Sequence, residues 1–253
     1  MSSGLPTTQL RELRAAVLAL KQSEQVALAK HHAEDQSMLL HRLREDLKTV
    51  AAYESMAEEP FNDRDLNEWE PKVPPIEAIE GTNDLVWYLK QAGDLATPDG
   101  LGFKLVDREV SPLRTKGNQR APRRSVDALL RGESGRPIAA EIKIGGDSLT
   151  YVAFIQALMY GVELVSEEQR RRLKKQYESA GFEMDGPYLD LYVIGFDVHT
   201  GTHKEASFKA TERIAAGLAA KEQFASTFGR IAYLELSVEE GALQVEPLFA
   251  HGS

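Results

Sequence analysis

Residues 126–144 leave the backbone few options. Two apolar stretches, VDALL and PIAAEIKI, are separated by the short RGESGRP segment, which reads as a tight turn between paired strands. Side chains alternate between the two faces of a strand, so Ile138, Ala140, Ile142 and Ile144 share one face while Glu141 and Lys143 project together from the other. A hairpin centred near Glu133–Ser134 sets Asp127 close to Glu141. Charged groups at the ends of apolar strands are costly unless they meet a partner or an ion.

Other segments surround this hairpin with both kinds of secondary structure. LDLYVIGFDV reads as an apolar strand central in a sheet, and GRIAYLELSV with GALQVEPLF as a closing hairpin. FKLVDREVSPL is expected as a strand reached through the turn PDGLG, and RTKGNQRAP as a loop. DSLTYVAFIQALMYGVEL, SEEQRRRLKKQYESAG and ATERIAAGLAAKEQFAS read as helices. IEAIEGTNDLVWYLKQAG is expected as one amphipathic helix carrying Ile76, Ile79, Leu85, Val86 and Leu89, with Gly81 its weak point. The fold class is therefore α/β, a mixed central sheet flanked by helices.

Residues 1–59 form an N-terminal helical arm in this reading, because residues 7–59 contain no glycine or proline. Leu10, Leu13, Val17 and Leu20 make an apolar stripe, and Leu40, Leu43, Leu47 and Val50 repeat it in another register. HHAEDQS interrupts the stripe, leaving a coiled coil with a stutter or a helical hairpin open, with His31, His32 and His41 exposed. Packing or oligomerisation is the expected role, with a protein partner as the alternative. Residues 60–74 read as an acidic, proline-containing linker, and residues 75–253 as the main domain.

The net charge is −9, yet it is unevenly distributed. Eleven acids face three bases between residues 58 and 99, whereas ten Lys or Arg face five acids between residues 104 and 143. A basic patch of that kind suits phosphate despite the acidic total, because salt limits the reach of distant charges. There is no cysteine, which excludes disulfides and thiolate chemistry. No apolar run reaches the ~18 residues of a membrane span, and residues 1–14 lack the basic and apolar regions of a secretory signal, so a cytoplasmic protein is expected. Walker, GxGxxG and GxSxG motifs are absent. His199 and His203 flank a Thr-Gly pair and read as a hairpin tip.

Three acid-x-Lys triplets occur, at Asp46–Lys48, Glu70–Lys72 and Glu141–Lys143. Only the third lies on an apolar strand. Two carboxylates as close as Asp127 and Glu141 repel unless a cation lies between them. Oxygen ligands without Cys or His suit Mg²⁺ or Mn²⁺. Such an ion polarises a phosphoryl oxygen and acidifies water, and Lys143 would hold that water or offset developing charge.

The order Asp127, then Glu141-Ile142-Lys143, resembles the PD-(D/E)xK nuclease superfamily, with Val126 where the family usually has proline. Gln156-Ala157-Leu158-Met159-Tyr160 is similar to the QxxxY signature of the RecB-like and NucS-like group. The likeness covers residues ~76–165. It implies a restriction-endonuclease-like core, a metal-dependent nuclease acting on DNA, and a metal bound by Asp127, Glu141 and the Ile142 carbonyl. Gln156 and Tyr160 would position site and substrate, and Glu80, with Glu77 its competitor, would supply a further ligand from the first core helix. Arg108, Arg114, Arg123 and Arg124 are expected to contact nucleic-acid phosphates, and Glu109 is a further candidate lining residue. The alternative is a catalytically inactive nuclease-fold protein that binds or assembles through its helical arm, or a subunit active only with a partner.

Overall fold

The computed structural model describes residues 8–53, 61, 66–112, 125–145, 149–196 and 202–252. Along them run α1 (Gln9–Leu18), α2 (Gln22–Glu34), α3 (Ser37–Tyr53), α4 (Thr82–Ala92), β1 (Asp94–Leu95), β2 (Phe103–Val110), β3 (Val126–Gly132), β4 (Pro137–Ile144), α5 (Thr150–Leu164), α6 (Glu167–Gln176), β5 (Leu189–Phe196), α7 (Thr202–Ala219), α8 (Glu222–Ala225), β6 (Phe228–Glu239) and β7 (Ala242–Gly252). The seven strands make one sheet in sequence order. β5 is parallel to both β4 and β6, and the remaining neighbours are antiparallel, so the fold is mixed α/β.

The β3–β4 hairpin has the predicted register. Leu130 pairs with Ile138, Leu129 with Ala139 and Ala128 with Ala140. Gly135, at φ 85°, supplies the left-handed residue that closes the turn. The next strand, β5, is buried along all eight residues. Leu189, Leu191 and Val193 join one apolar cluster, and Tyr192, Ile194 and Phe196 join another, so helices or loops cover both sheet faces. Leu85, Val86 and Leu89 of α4 cover the second face. α5 covers the first and is buried at every position except Gln156. Gly161 permits its close approach, since a methyl group there would collide with Leu191 and lie 3.0 Å from Phe228.

The N-terminal segment is three helices rather than a continuous one, and it lies on the domain. Leu10, Leu13, Val17, Val26, Ala29, Leu39, Leu43 and Val50 are buried in the same cluster as α5. Asp46 is buried and accepts hydrogen bonds from the backbone N–H groups of Gln9 (2.6 Å) and Leu10 (2.8 Å), which ties α3 to the start of α1. His32, expected at the surface, is instead fully buried, with Nδ1 2.6 Å from the Tyr151 hydroxyl of α5.

Within the acidic segment read as a linker, the described residues are anchored. Phe61 is buried and stacks on Tyr177, and Trp69 meets Trp87 edge to face. The expected helix over residues 76–93 is corrected to a 3-10 turn at Ile76–Ala78 followed by α4. Gly81 is extended, and its N–H donates to Asp84 at 3.1 Å, so the helix starts only after it. α7 begins at Thr202, which puts His203 in a helix rather than a hairpin tip, because Ala206 and Phe208 in its early turns pack against the core; His199 lies outside the described residues.

Two outcomes follow from this packing. Gly161→Ala should destabilise the protein by about 1–3 kcal/mol through overpacking, read as a lower denaturant midpoint; an unchanged midpoint would mean α5 is free to shift. Burial, aided by the positive fields of His31 and Arg42, pulls the His32 pKa down to about 4. The unfolded chain then takes up the proton first, so stability is lost as pH falls from about 6.5 toward 4, by about 3 kcal/mol in all. His32→Gln should remove that part of the acid sensitivity in urea titrations; parallel pH profiles for the two proteins would refute it.

Candidate active site

Beyond the Ala128–Ala140 pair, the hairpin ladder gives way to a side-chain contact: the Ile142 N–H donates to Asp127 Oδ2 at 2.9 Å. Strand alternation turns Glu141 toward α5, on the same face as Ala139, while Ile138, Ala140 and Ile142 pack in the opposite cluster. Lys143 Nζ lies 3.4 Å from Glu141 Oε2 and 3.4 Å from Gln156 Oε1. Asp127, Glu141, Lys143 and Gln156 are thereby brought together from two strands and one helix. Gln156 is half-exposed on an otherwise buried helix, and its carbonyl holds the lysine ammonium.

Glu141 has no exposed surface, and burial raises its pKa well above the ordinary carboxyl range. The negative charge of Asp127 adds to that rise and Lys143 opposes it. One oxygen, Oε1, is buried and receives no hydrogen bond from an N–H or hydroxyl group among the described residues; the neighbouring carboxyl is Asp127, with which Glu141 shares a hydrogen bond while it holds its proton. Two carboxyl groups in that contact are a donor set that a hard divalent cation fits, since the cation replaces the shared proton and supplies the missing charge.

Tyr160 is also buried, one helical turn beyond Gln156. Burial raises its hydroxyl pKa, and Glu141 and Glu163 push it further, while Arg11 and Arg14 act in the opposite sense. Tyr160 therefore keeps its hydroxyl proton at neutral pH. Glu163, fully buried, pairs with Arg11 of α1 at 2.5 Å. The sequence reading did not single out Arg11, Arg14 or Glu163. An acid inside the apolar MYGVEL stretch was the available signal, because a charge there requires a buried counter-charge.

Several expected participants are placed elsewhere. Glu80 is exposed between the 3-10 turn and α4, not on the helix, because Gly81 caps the helix after it; Glu77 is exposed too. Among the described residues, no group of three or more His, Asp or Glu side chains is poised around a common point. Arg108 is only 4% exposed, pairs with Glu109 at 2.9 Å and stacks over Trp69 at 4.0 Å. Arg108, expected to contact phosphate, has its guanidinium turned to the α4 side, where Asn83 and Trp69 adjoin it. Glu109 is a non-glycine residue at φ 50° in β2, and its carboxylate is engaged by Arg108. Arg114, Arg123 and Arg124 lie outside the described residues.

Comparison with protein-family models, curated proteins and solved structures finds no match for this chain. Among the described residues, no helix is long and apolar enough to cross a membrane.

The raised Glu141 pKa has a direct consequence in metal-free protein. An acid that holds its proton more tightly when folded than when unfolded makes stability fall as pH rises above its unfolded pKa. Glu141→Gln should therefore melt higher than the parent at pH 8 in EDTA, by roughly 2–4 °C for each kcal/mol recovered. At pH 5 the two should converge. Equal melting temperatures at both pH values would show that Glu141 carries no such penalty.

Proposed function

We propose that this protein is a metal-dependent nuclease of the PD-(D/E)xK type, hydrolysing phosphodiester bonds in DNA on a restriction-endonuclease-like core. The observation that supports this reading most is the joint placement of Asp127, Glu141, Lys143 and Gln156, residues that the sequence motif names and that come from two strands and a helix. Their order on a β-hairpin and the following helix is the order the resemblance implies.

Asp127, Glu141 and the Ile142 carbonyl would hold Mg²⁺ or Mn²⁺, which when bound supplies Lewis-acid polarisation of a phosphoryl oxygen and acidifies water. Glu141 must give up its proton to serve as a ligand, so its raised pKa makes binding stronger as pH rises. Lys143, oriented by the Gln156 carbonyl, places positive charge where negative charge develops on the phosphate oxygens. Tyr160 keeps its hydroxyl proton and would offer it to the substrate as a donor. Asp127 is steadied by the Ile142 N–H, which fixes its carboxylate at the end of the hairpin. The Ile142 amide therefore orients one ligand while its carbonyl is proposed as another.

The test is cleavage of single-stranded, duplex and branched DNA and RNA in Mn²⁺ and in EDTA, with Asp127→Ala and Glu141→Ala alongside. Cleavage should require the metal and fall by at least about a hundredfold in either variant, the scale of a lost transition-state contact. Undiminished cleavage in either purified variant would remove the mechanism. Neither cleavage nor thermal stabilisation by Mn²⁺ would favour a non-hydrolytic assembly protein with the same fold.

A further inference from the structure

We propose that Arg14 of α1 is a phosphate-contacting residue of this site, so that the N-terminal helix supplies part of the nucleic-acid interface; the inference rests on the nuclease reading above. α1 packs against α5, where Arg11 Nη2 reaches Glu163 Oε1 at 2.5 Å with both side chains buried. Arg14 follows three residues later and shares that flank of the helix. Tyr160 and Glu163 stand in the same relation on α5. Glu163 lies two helical turns from Gln156 on α5, with Tyr160 between them, so the Arg11–Glu163 pair sets α1 along the helix that carries part of the proposed site; the Tyr160 hydroxyl feels the charges of Arg11 and Arg14 as well as those of Glu141 and Glu163.

The two arginines are in different states. Arg11 is 8% exposed and matched by the Glu163 carboxylate, although its Nε, like that of Arg14, has no hydrogen-bond partner among the described residues. Arg14 is half-exposed, its Nε is buried, and that atom has no hydrogen-bond partner among the described residues. No ion pair to a described carboxylate engages it either. A half-exposed guanidinium with no carboxylate paired to it gains most from an anion that brings several oxygens, and phosphate accepts the planar fork of Arg in a bidentate manner. Arg108 does not offer this, since its guanidinium is already enclosed by Glu109, Asn83 and Trp69.

Anisotropy titrations of a labelled oligonucleotide, in Mg²⁺ over a series of salt concentrations, decide the matter in a full-length Glu141→Gln background that blocks cleavage. Adding Arg14→Ala should weaken binding about tenfold, or ~1.4 kcal/mol. It should also flatten the dependence of log Kd on log salt by about one. Arg14→Lys should keep that slope, because it keeps the charge. Unchanged affinity and slope, in a protein whose wild type binds and cleaves, would overturn the role of Arg14 alone. Weaker binding at an unchanged slope with a lowered melting temperature would also overturn it, marking Arg14 as structural. A wild type that neither binds nor cleaves nucleic acid would remove the nuclease reading and this inference with it.

Discussion

A carboxyl group with no exposed surface, set beside another on the neighbouring strand, cannot ionise without help from a cation, and Glu141 is in that position. Lys143 gives part of that help, at 3.4 Å, and Gln156 holds the lysine in turn. The burial is produced by α5, which closes over the strand face carrying Glu141, and α5 comes close because Gly161 leaves room for Leu191 and Phe228. Packing and chemistry therefore meet in one helix. The force that brings α5 onto the sheet is the force that raises the energy of the ionised glutamate.

The same logic extends outward. Glu163 lies three residues beyond Tyr160 on the buried helix and is matched by Arg11 of α1. A buried ion pair of this kind adds little net stability over an apolar pair, but losing one partner leaves an uncompensated charge. That makes α1 part of the pocket's electrostatics, and Asp46 of α3 in turn holds the first amides of α1. The N-terminal helices are bound to the catalytic candidate through charges as well as through Leu10, Leu13 and Val17.

The hairpin was legible because its information is local. A two-fold alternation and a short turn decide which residues face each other, and the pairing of Ala128 with Ala140 puts Asp127 and Glu141 where the strand arithmetic requires. The apolar β5 and the final β6–β7 hairpin were legible for the same reason. Glu80 was misjudged because an amphipathic pattern spans Gly81 without revealing that the backbone is extended there. The enclosure of Arg108 was not legible because a basic residue in a basic stretch gives no sign that Trp69, Asn83 and Glu109 will surround it. His32 was misjudged because its burial depends on Tyr151, which is 119 residues away in sequence.

By itself the sequence determined an α/β chain whose motif residues fall on two adjacent strands and a helix, since periodicity and turn length act over a few residues. Only the tertiary structure decided that the N-terminal helices lie on the sheet's α5 face, that Glu141 loses all contact with water, and that Arg11 pairs with Glu163. Those outcomes depend on which distant surfaces exclude water together. Contacts between α1 and α5 are set by shape and charge matching across well over a hundred residues, and no local pattern encodes them.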